Sequence, residues 1–349
     1  MRITDQMMMS HYRRDVSDAF ASMDLAMRRA YDYRAFEKPS DDPLAAAQTF
    51  QVHWESRMAG CYRSNISSLE GVNTSADHIL QQMEEQIDTA VQKINSAVTG
   101  TSNAENRGDI ANELSSIRSS LLSELNSRYA DSYLFGGTNA GSAPFTLDTD
   151  GNLLYRGLNV DTGLDKNGEL PAHTLEELSD EHVYVDIGLG IERSGGEIDG
   201  QSAFDSAMPG IRYLGYGTQD IAGEDGSVTQ GVPKNIFSLL KEIEDKLNDD
   251  SLSGSDLAQE LEPYQDALQT AENEFISQKT EIGSRGNFLE ETDGYLESLE
   301  TSLDERDNEV EYVDFQDAVT DFTMQQYCYE AALQVGGKVL QTSLMDYLR

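Results

Sequence analysis

The sequence has few of the residues that a catalytic centre, a metal site or a disulfide framework would need. Its 349 residues include only two cysteines and five histidines. Cys61 and Cys328 are too few for a disulfide framework, and both lie in helical patterns, where we expect inert, buried or half-buried thiols. The histidines show no paired-ligand spacing. The composition therefore predicts no metal site and no cofactor.

Basic residues and long apolar runs are also scarce. Lysine and arginine number 25 against 63 acidic residues, which gives a formal net charge of −38. This surplus repels phosphate backbones and anionic membrane surfaces, so we expect no nucleic-acid partner. No apolar run approaches the roughly 18 residues that span a bilayer, and the N-terminus lacks the apolar core of a Sec-type signal. We expect no membrane insertion, and either a cytoplasmic chain or one exported without a cleaved apolar signal.

Motifs for catalysis or ligand binding are incomplete. Gly336-Gly337-Lys338 resembles the end of a phosphate loop, but Ala332 and Val339 stand where that loop requires Gly and Ser or Thr. The run DTDGN at residues 148–152 begins like a calcium loop, but Leu153 stands where that loop requires Gly. We interpret this run as turn chemistry. The sequence predicts a structural or binding protein and no enzyme.

The main positive signal is a heptad-like repeat in the last third of the chain. Apolar residues recur at steps of three and four from Leu257 to Val313, which is typical of a coiled-coil helix. As one straight helix this segment would be about 85 Å long. Gly283, Gly286 and Gly294 interrupt it, so we expect a bent or locally loosened helix.

Three further helices are predicted in the first 130 residues. The first ends at the run KPSDDP at 38–43, where Asp42 can cap the next helix and Pro43 can occupy its first position. The second and third helices are predicted over about 43–99 and 104–130. Their apolar stripes can cover the stripe of the C-terminal repeat.

Between the helical parts lies a glycine-rich region with β-like runs. Asp150-Gly151 predicts a hairpin with a primed turn, and residues 153–155 form a strand-like run. Asn235 is a candidate cap for a helix over about 236–247. The order is helices, a β insert, then helices again.

Several motifs resemble the flagellin superfamily. They are MRIT at 1–4, KPSDDPLAAA at 38–47, IGSRGNFLE at 282–290, QDAVTDF at 316–322 and VLQTSLMDYLR at 339–349. The run YLFGGT at 133–138 is similar to the hook-associated protein 3 family within it. The resemblance covers roughly residues 1–140 and 235–349, and the chain departs from the family pattern at YDYRAFE, residues 31–37.

The resemblance implies a mainly α, flagellin-like fold with a β insert. Long N- and C-terminal helices would pack in a coiled-coil helical rod, with a small β-rich outer domain between them. The predicted segments are an N-terminal assembly helix (1–42), the first part of the rod (43–138), the β-rich insert (139–232), the second part of the rod (233–314) and a C-terminal assembly helix (315–349).

The resemblance also implies a function. It predicts a structural adaptor that joins the hook to the filament of the bacterial flagellum, outside the cell, after type III export from the cytoplasm. The implied partners are hook-associated protein 1, flagellin, other copies in a junction ring, and an export chaperone on the C-terminal region. The alternatives are a flagellin-type filament subunit, an enzyme carried by the insert, and a coiled-coil virulence translocator.

The terminal stripes are the predicted assembly surface. They comprise Val16, Phe20, Met23 and Met27 at the start and Phe315, Val319, Phe322, Leu333, Val339, Leu340 and Leu344 at the end. An isolated chain cannot cover both stripes well. We therefore predict loosely packed ends until the protein assembles.

Overall fold

The structure, a computed structural model, describes residues 2–99, 104–166, 168–200, 202–222, 228–249, 251–252 and 254–347. The helices of this part of the chain are α1 (Arg2–Asp32), α2 (Pro43–Thr99), α3 (Ala104–Leu125), α4 (Leu175–Ser179), α5 (Gly210–Leu214), α6 (Ile236–Leu247), α7 (Gly254–Glu311) and α8 (Phe315–Tyr347). This order confirms the predicted mainly α class with a β-containing middle region. None of the described helices is long and apolar enough to cross a membrane.

The strands are short and lie in the middle of the chain. They are β1 (Arg128–Tyr129), β2 (Ser132–Tyr133), β3 (Phe145–Leu147), β4 (Leu153–Tyr155), β5 (Leu158–Asn159), β6 (Tyr184–Val185), β7 (Arg193–Ser194), β8 (Glu197–Ile198), β9 (Phe204–Asp205), β10 (Thr218–Ala222) and β11 (Val228–Pro233). They pair antiparallel as β3-β4-β5 and as the two-stranded sheets β1-β2, β6-β9, β7-β8 and β10-β11. Such small sheets depend on packing against helices for stability.

The chain divides into two compact units. Unit 1 comprises Met1–Cys61 and Tyr295–Arg349, and unit 2 comprises Tyr62–Gly294. Helices α2 and α7 contribute residues to both units. The five predicted segments describe roles in an assembly and stay a prediction.

In unit 1 the turns between helices are held by backbone hydrogen bonds. Helix α1 ends at Asp32, and the next residue, Tyr33, has a φ of 59°, which lies in the left-handed region. The N–H of Val313 donates to the carbonyl oxygen of Tyr33 at 2.9 Å, and the N–H of Ala35 donates to that of Glu311 at 2.8 Å. The Asp42 carboxylate then accepts the N–H groups at positions 44 and 45, which confirms its predicted role as the cap of α2.

In unit 2 the helices and the β region share one hydrophobic core. Its largest fully buried side chains include Phe135, Phe145, Tyr155, Phe237, Phe275, Leu80, Met83, Ile87 and Leu114. The residues from Leu257 to Ile282 that carry the heptad-like repeat belong to this core. The prediction that the N-terminal helices cover this stripe is therefore confirmed within unit 2.

Polar pairs show that α2 and α7 run antiparallel in unit 2. Arg63 binds Asp293 with Nε to Oδ1 at 2.9 Å, Glu84 pairs with Lys279, and Gln265 donates to Asn95 at 3.1 Å. As positions rise along α2 they fall along α7. Helix α7 continues through Gly283, and this glycine therefore does not end the helix. Local loosening of the helix at Gly283 stays a prediction.

The predicted end of α3 at Ala130 is wrong, because the helix stops at Leu125. Asn126 explains the difference. Its amide nitrogen donates to the carbonyl oxygen of Phe145 at 2.9 Å, and its side-chain oxygen accepts the N–H of Phe145 at 3.1 Å. A side chain with backbone-like hydrogen bonds competes with helix continuation, and the chain turns into the β1–β2 hairpin.

The hairpin predicted around Asp150-Gly151 is confirmed, but its primed turn is wrong. Strands β3 and β4 pair with Phe145 opposite Tyr155, and only Gly151 of the two turn residues has a positive φ. The Asp148 carboxylate instead accepts the N–H groups of Asp150 and Asn152. Burial opposes its ionisation, yet these hydrogen bonds lower the pKa of Asp148. The polar residues of the calcium-like run at 148–152 therefore form the hydrogen bonds of a turn, which agrees with the interpretation from the sequence.

Candidate assembly surface

The two terminal helices pack against each other in unit 1. The rings of Phe20 and Tyr329 lie 5.7 Å apart, and those of Tyr33 and Phe315 lie 5.6 Å apart. The Tyr12 ring fills the space where a Gly336 side chain would stand. Because the α1 positions rise as the α8 positions fall, the two helices are antiparallel.

The face of α8 that meets α1 follows a heptad spacing. Between Ala318 and Gly336, buried or half-buried residues recur at steps of four and three: Ala318, Phe322, Gln325, Tyr329, Ala332 and Gly336. Among the described side chains of α1, that of Ala26 is the most buried. Small residues allow a close approach of the helices but bury little apolar area, so this seam alone stabilises the pair weakly.

Helix α8 carries a second apolar stripe on its other side. It comprises Val319, Met324, Tyr327, Ala331 and Val335, all exposed, and we call these five residues the outer stripe. At 100° per residue the outer stripe lies roughly opposite the seam. Met324 is 57% exposed and Tyr327 68% exposed. A helix that is apolar on opposite faces is typical of one buried between partners.

The terminal helices carry less net charge than α7. Helix α1 has five acidic and five basic residues, and α8 has four acidic residues and one basic residue. Helix α7 has 17 acidic and three basic residues. Like charges on facing surfaces are unfavourable, so α1 and α8 are better suited than most of α7 to contact further copies.

The predicted assembly residues differ in exposure. Val16, Met23 and Phe322 are half-buried, whereas Phe20, Met27, Phe315, Val319 and Leu333 are exposed. Phe20 and Phe315 each contact an aromatic ring across the helix pair. The side chains of Val339, Leu340 and Leu344 lie outside the described residues.

Sequence reasoning missed Tyr12, Gly336 and most of the outer stripe. The signal was present in α8, because Met324, Tyr327, Ala331 and Val335 recur at steps of three and four. A search for a single stripe does not find a second one.

The expectation of buried or half-buried thiols is wrong, because Cys61 and Cys328 are both exposed. Cys328 borders the outer stripe in a shallow groove.

The run YLFGGT has a structural role in unit 2. Phe135 is fully buried, and Gly137 adopts a φ of 62°. The Thr138 N–H and hydroxyl donate to Glu181 Oε2 at 2.9 and 2.8 Å, and Arg156 binds the same carboxylate at 2.8 Å. Burial alone would raise the pKa of Glu181, but these donors outweigh it and lower the pKa. The run therefore fixes the chain after β2 to the core and to Glu181.

The run IGSRGNFLE likewise serves contacts within unit 2. Arg285 donates to the carbonyl oxygens of Asp205 at 2.7 Å and Ala207 at 3.3 Å. Asn73 donates to the carbonyl oxygen of Ile282 at 3.1 Å, and a side chain at Gly286 would lie 2.9 Å from the Asn73 amide. These residues join α7 to α2 and to β9.

The long terminal helices and the small β-containing middle region match the flagellin-like architecture that the sequence resemblance implies. No protein-family model matches the chain. The chain is 22% identical to flagellar hook-associated protein 3 of Escherichia coli over 95% of each chain. It is 28% identical to flagellar hook-associated protein 3 of Salmonella typhimurium over 43% of this chain and 48% of that protein.

Solved structures agree on the fold. A putative flagellar hook-associated protein from Vibrio parahaemolyticus matches with a TM-score of 0.57 at 19% identity, covering 78% of this chain and 100% of that one. The similarity to hook-associated protein 3 of Escherichia coli over 95% of each chain confirms the resemblance drawn from the sequence motifs.

Proposed function

We propose that this chain is a structural adaptor of the bacterial flagellum, which joins the hook to the filament through its terminal helices after type III export. The full-length similarity to the Escherichia coli hook-associated protein supports the flagellar role. The same similarity supports a structural role without catalysis. The location that follows is extracellular, in the flagellum, with a cytoplasmic stage before export.

The observation that carries the assembly mechanism is the outer stripe of α8. The α1 side of α8 is already partnered inside the chain, whereas Met324 and Tyr327 remain exposed. Met adapts to irregular partner surfaces and Tyr is frequent at the centres of interfaces. A neighbouring subunit that covers this stripe gains apolar burial that one chain cannot supply.

The proposed partners are further copies in a junction ring, hook-associated protein 1 on the hook side and flagellin on the filament side. Before export, the apolar C-terminal region is the part that an export chaperone would cover. A flagellin-type filament subunit is the alternative. Pure protein that polymerises spontaneously into long filaments would favour that alternative.

The test is a deletion of the gene in the bacterium that encodes this chain, followed by complementation. Electron microscopy of the deletion strain is expected to show hooks without filaments, with flagellin in the medium. Wild-type chain restores filaments. Tyr327→Asp is expected not to, because it places a charge in the centre of the outer stripe.

The control is Leu170→Asp, which places the same charge at an apolar position that is 88% exposed in the β region. It should restore filaments like the wild type. Export and helical content of both variants are checked by secretion assay and circular dichroism. Normal filaments with secreted, folded Tyr327→Asp would reject the assembly role of the stripe, and normal filaments in the deletion strain would reject the adaptor function.

A further inference from the structure

Three side chains with metal-binding atoms converge in unit 1. His53 Nε2 lies 3.1 Å from Asp307 Oδ2 and 3.6 Å from Glu311 Oε2. One ligand atom from each of the three residues lies within 4.8 Å of the others. Asp307 and Glu311 stand one helical turn apart on α7, and His53 faces them from α2. The two helices therefore present the donors on one shared face.

The spacing fits a single small cation. Donor atoms bound at about 2.1 Å in a tetrahedral site lie about 3.4 Å apart, and the two distances from His53 fall on either side of that value. One imidazole nitrogen and two carboxylates suit Zn²⁺ and similar first-row ions, whereas Mg²⁺ and Ca²⁺ prefer oxygen alone. A water molecule would complete the fourth position.

The surroundings of the two carboxylates favour a positive charge. Asp307 Oδ1 is buried and has no hydrogen-bond partner, which is costly for a polar atom. Arg34 lies 3.5 Å from the other oxygen of Glu311, Oε1, so Oε2 still faces the histidine. The carboxylate side chains are only 21% and 12% exposed, whereas His53 is 48% exposed and gives a cation access from solvent.

The other histidine contacts lack this convergence. His173, which precedes α4, meets a single carboxylate, Glu177, at 3.4 Å at an exposed position. His182 meets Asp205 through Nδ1 and Asp180 through Nε2, so its two acidic neighbours lie at different ring atoms. Among the described residues no other group of three such side chains converges.

We propose that His53, Asp307 and Glu311 form a binding site for a divalent transition-metal ion, with Zn²⁺ as its reference ligand. A bound ion would join the beginning of α2 to the end of α7. Glu311 is also the residue whose carbonyl oxygen accepts the N–H of Ala35. The ion would thus hold the part of unit 1 where the chain leaves α7 for α8.

The test uses the full chain without a histidine tag, freed of metal with a chelator. Calorimetric titration with ZnCl₂ is expected to show one tight site, and Co²⁺ in its place should give the strong visible absorption of tetrahedral coordination. His53→Ala and Asp307→Asn should each weaken Zn²⁺ binding by at least about tenfold, because loss of even an outer-shell partner typically costs 10- to 100-fold. Both should abolish the Co²⁺ spectrum.

The matched control is His173→Ala, which should leave binding and spectrum unchanged. If His53→Ala loses helical content, Glu311→Gln, which keeps size and helix propensity, replaces it. Equal Zn²⁺ affinity in the wild type and His53→Ala would overturn the proposal, as would Mg²⁺ binding as tightly as Zn²⁺. If the wild type shows no measurable Zn²⁺ binding, the contact of His53 with Asp307 is an ordinary polar pair, and the proposal is also overturned.

Discussion

The two compact units use the same heptad-like spacing with different results. In unit 2 the repeat places large residues such as Ile87 and Phe275 in a core with no solvent exposure. In unit 1 the α1–α8 seam buries mainly Ala26 and Ala318, while Phe20 and Tyr327 stay exposed. Periodicity therefore predicts a helix face, but the size of the residues on that face decides whether one chain can stabilise it.

The largest difference is expected from truncation of an aromatic residue in each unit. Phe275→Ala should cost about 3–5 kcal/mol, because it leaves a cavity in a fully buried site. Phe20→Ala should cost about 1 kcal/mol, since its ring is 51% exposed and loses mainly the pair with Tyr329. Denaturant-dependent hydrogen exchange measures both, because it reports a free energy of opening for each segment. Equal costs would contradict the contrast between the units.

Substitution of two helical glycines by alanine should change stability by smaller amounts and in opposite directions. Gly336→Ala should destabilise the α1–α8 pair by about 1 kcal/mol, because its Cβ would overlap the Tyr12 ring. Gly283→Ala meets nothing within 4 Å and should stabilise α7 by about 0.5–1 kcal/mol. Hydrogen exchange in α8 and α7 is the measurement. Stabilisation of α8 by Gly336→Ala would show that the seam is looser than described.

The smallest effect concerns two carboxylates between α2 and α7 in unit 2. Burial first, and then a hydrogen bond with Asp88, raise the pKa of Glu272, so the fold favours its protonated form. The effect of Glu272 on the free energy of unfolding is most favourable below the pKa of an unfolded glutamate. It is lost as pH rises through the raised pKa of Glu272 in the folded protein. Glu272→Gln, which cannot ionise, should therefore stabilise the protein at neutral pH by roughly 0.5 kcal/mol.

The gain from Glu272→Gln should vanish in acid, where the wild-type carboxyl is also neutral. Urea midpoints measured across pH test this, with the exposed Glu290→Gln as the control. A loss of stability at neutral pH would show that the charged form of Glu272 is stabilising and that the sign is wrong.

Much of the fold could be predicted because local signals were strong. Asn235 caps α6 at the predicted place, with its side-chain oxygen accepting the N–H of Ser238 at 2.8 Å, and Asp42 caps α2. The end of α3 could not be predicted, because Asn126 makes its decisive hydrogen bonds to Phe145, 19 positions away. Caps act within one turn of helix, whereas a competing backbone partner can come from any distance.

The candidate surface shows the same division. The sequence by itself determined that the ends are amphipathic helices, and its motifs indicated the flagellar family. Only the tertiary structure decided that α8 turns one face to α1 and exposes the outer stripe on the other, since burial depends on which helix lies alongside. Only the tertiary structure brought His53 within 3.1 Å of Asp307, 254 positions along the chain. Spacing in the sequence reveals which residues are neighbours along one helix. These donors lie on two helices and meet only because the antiparallel helices pack together.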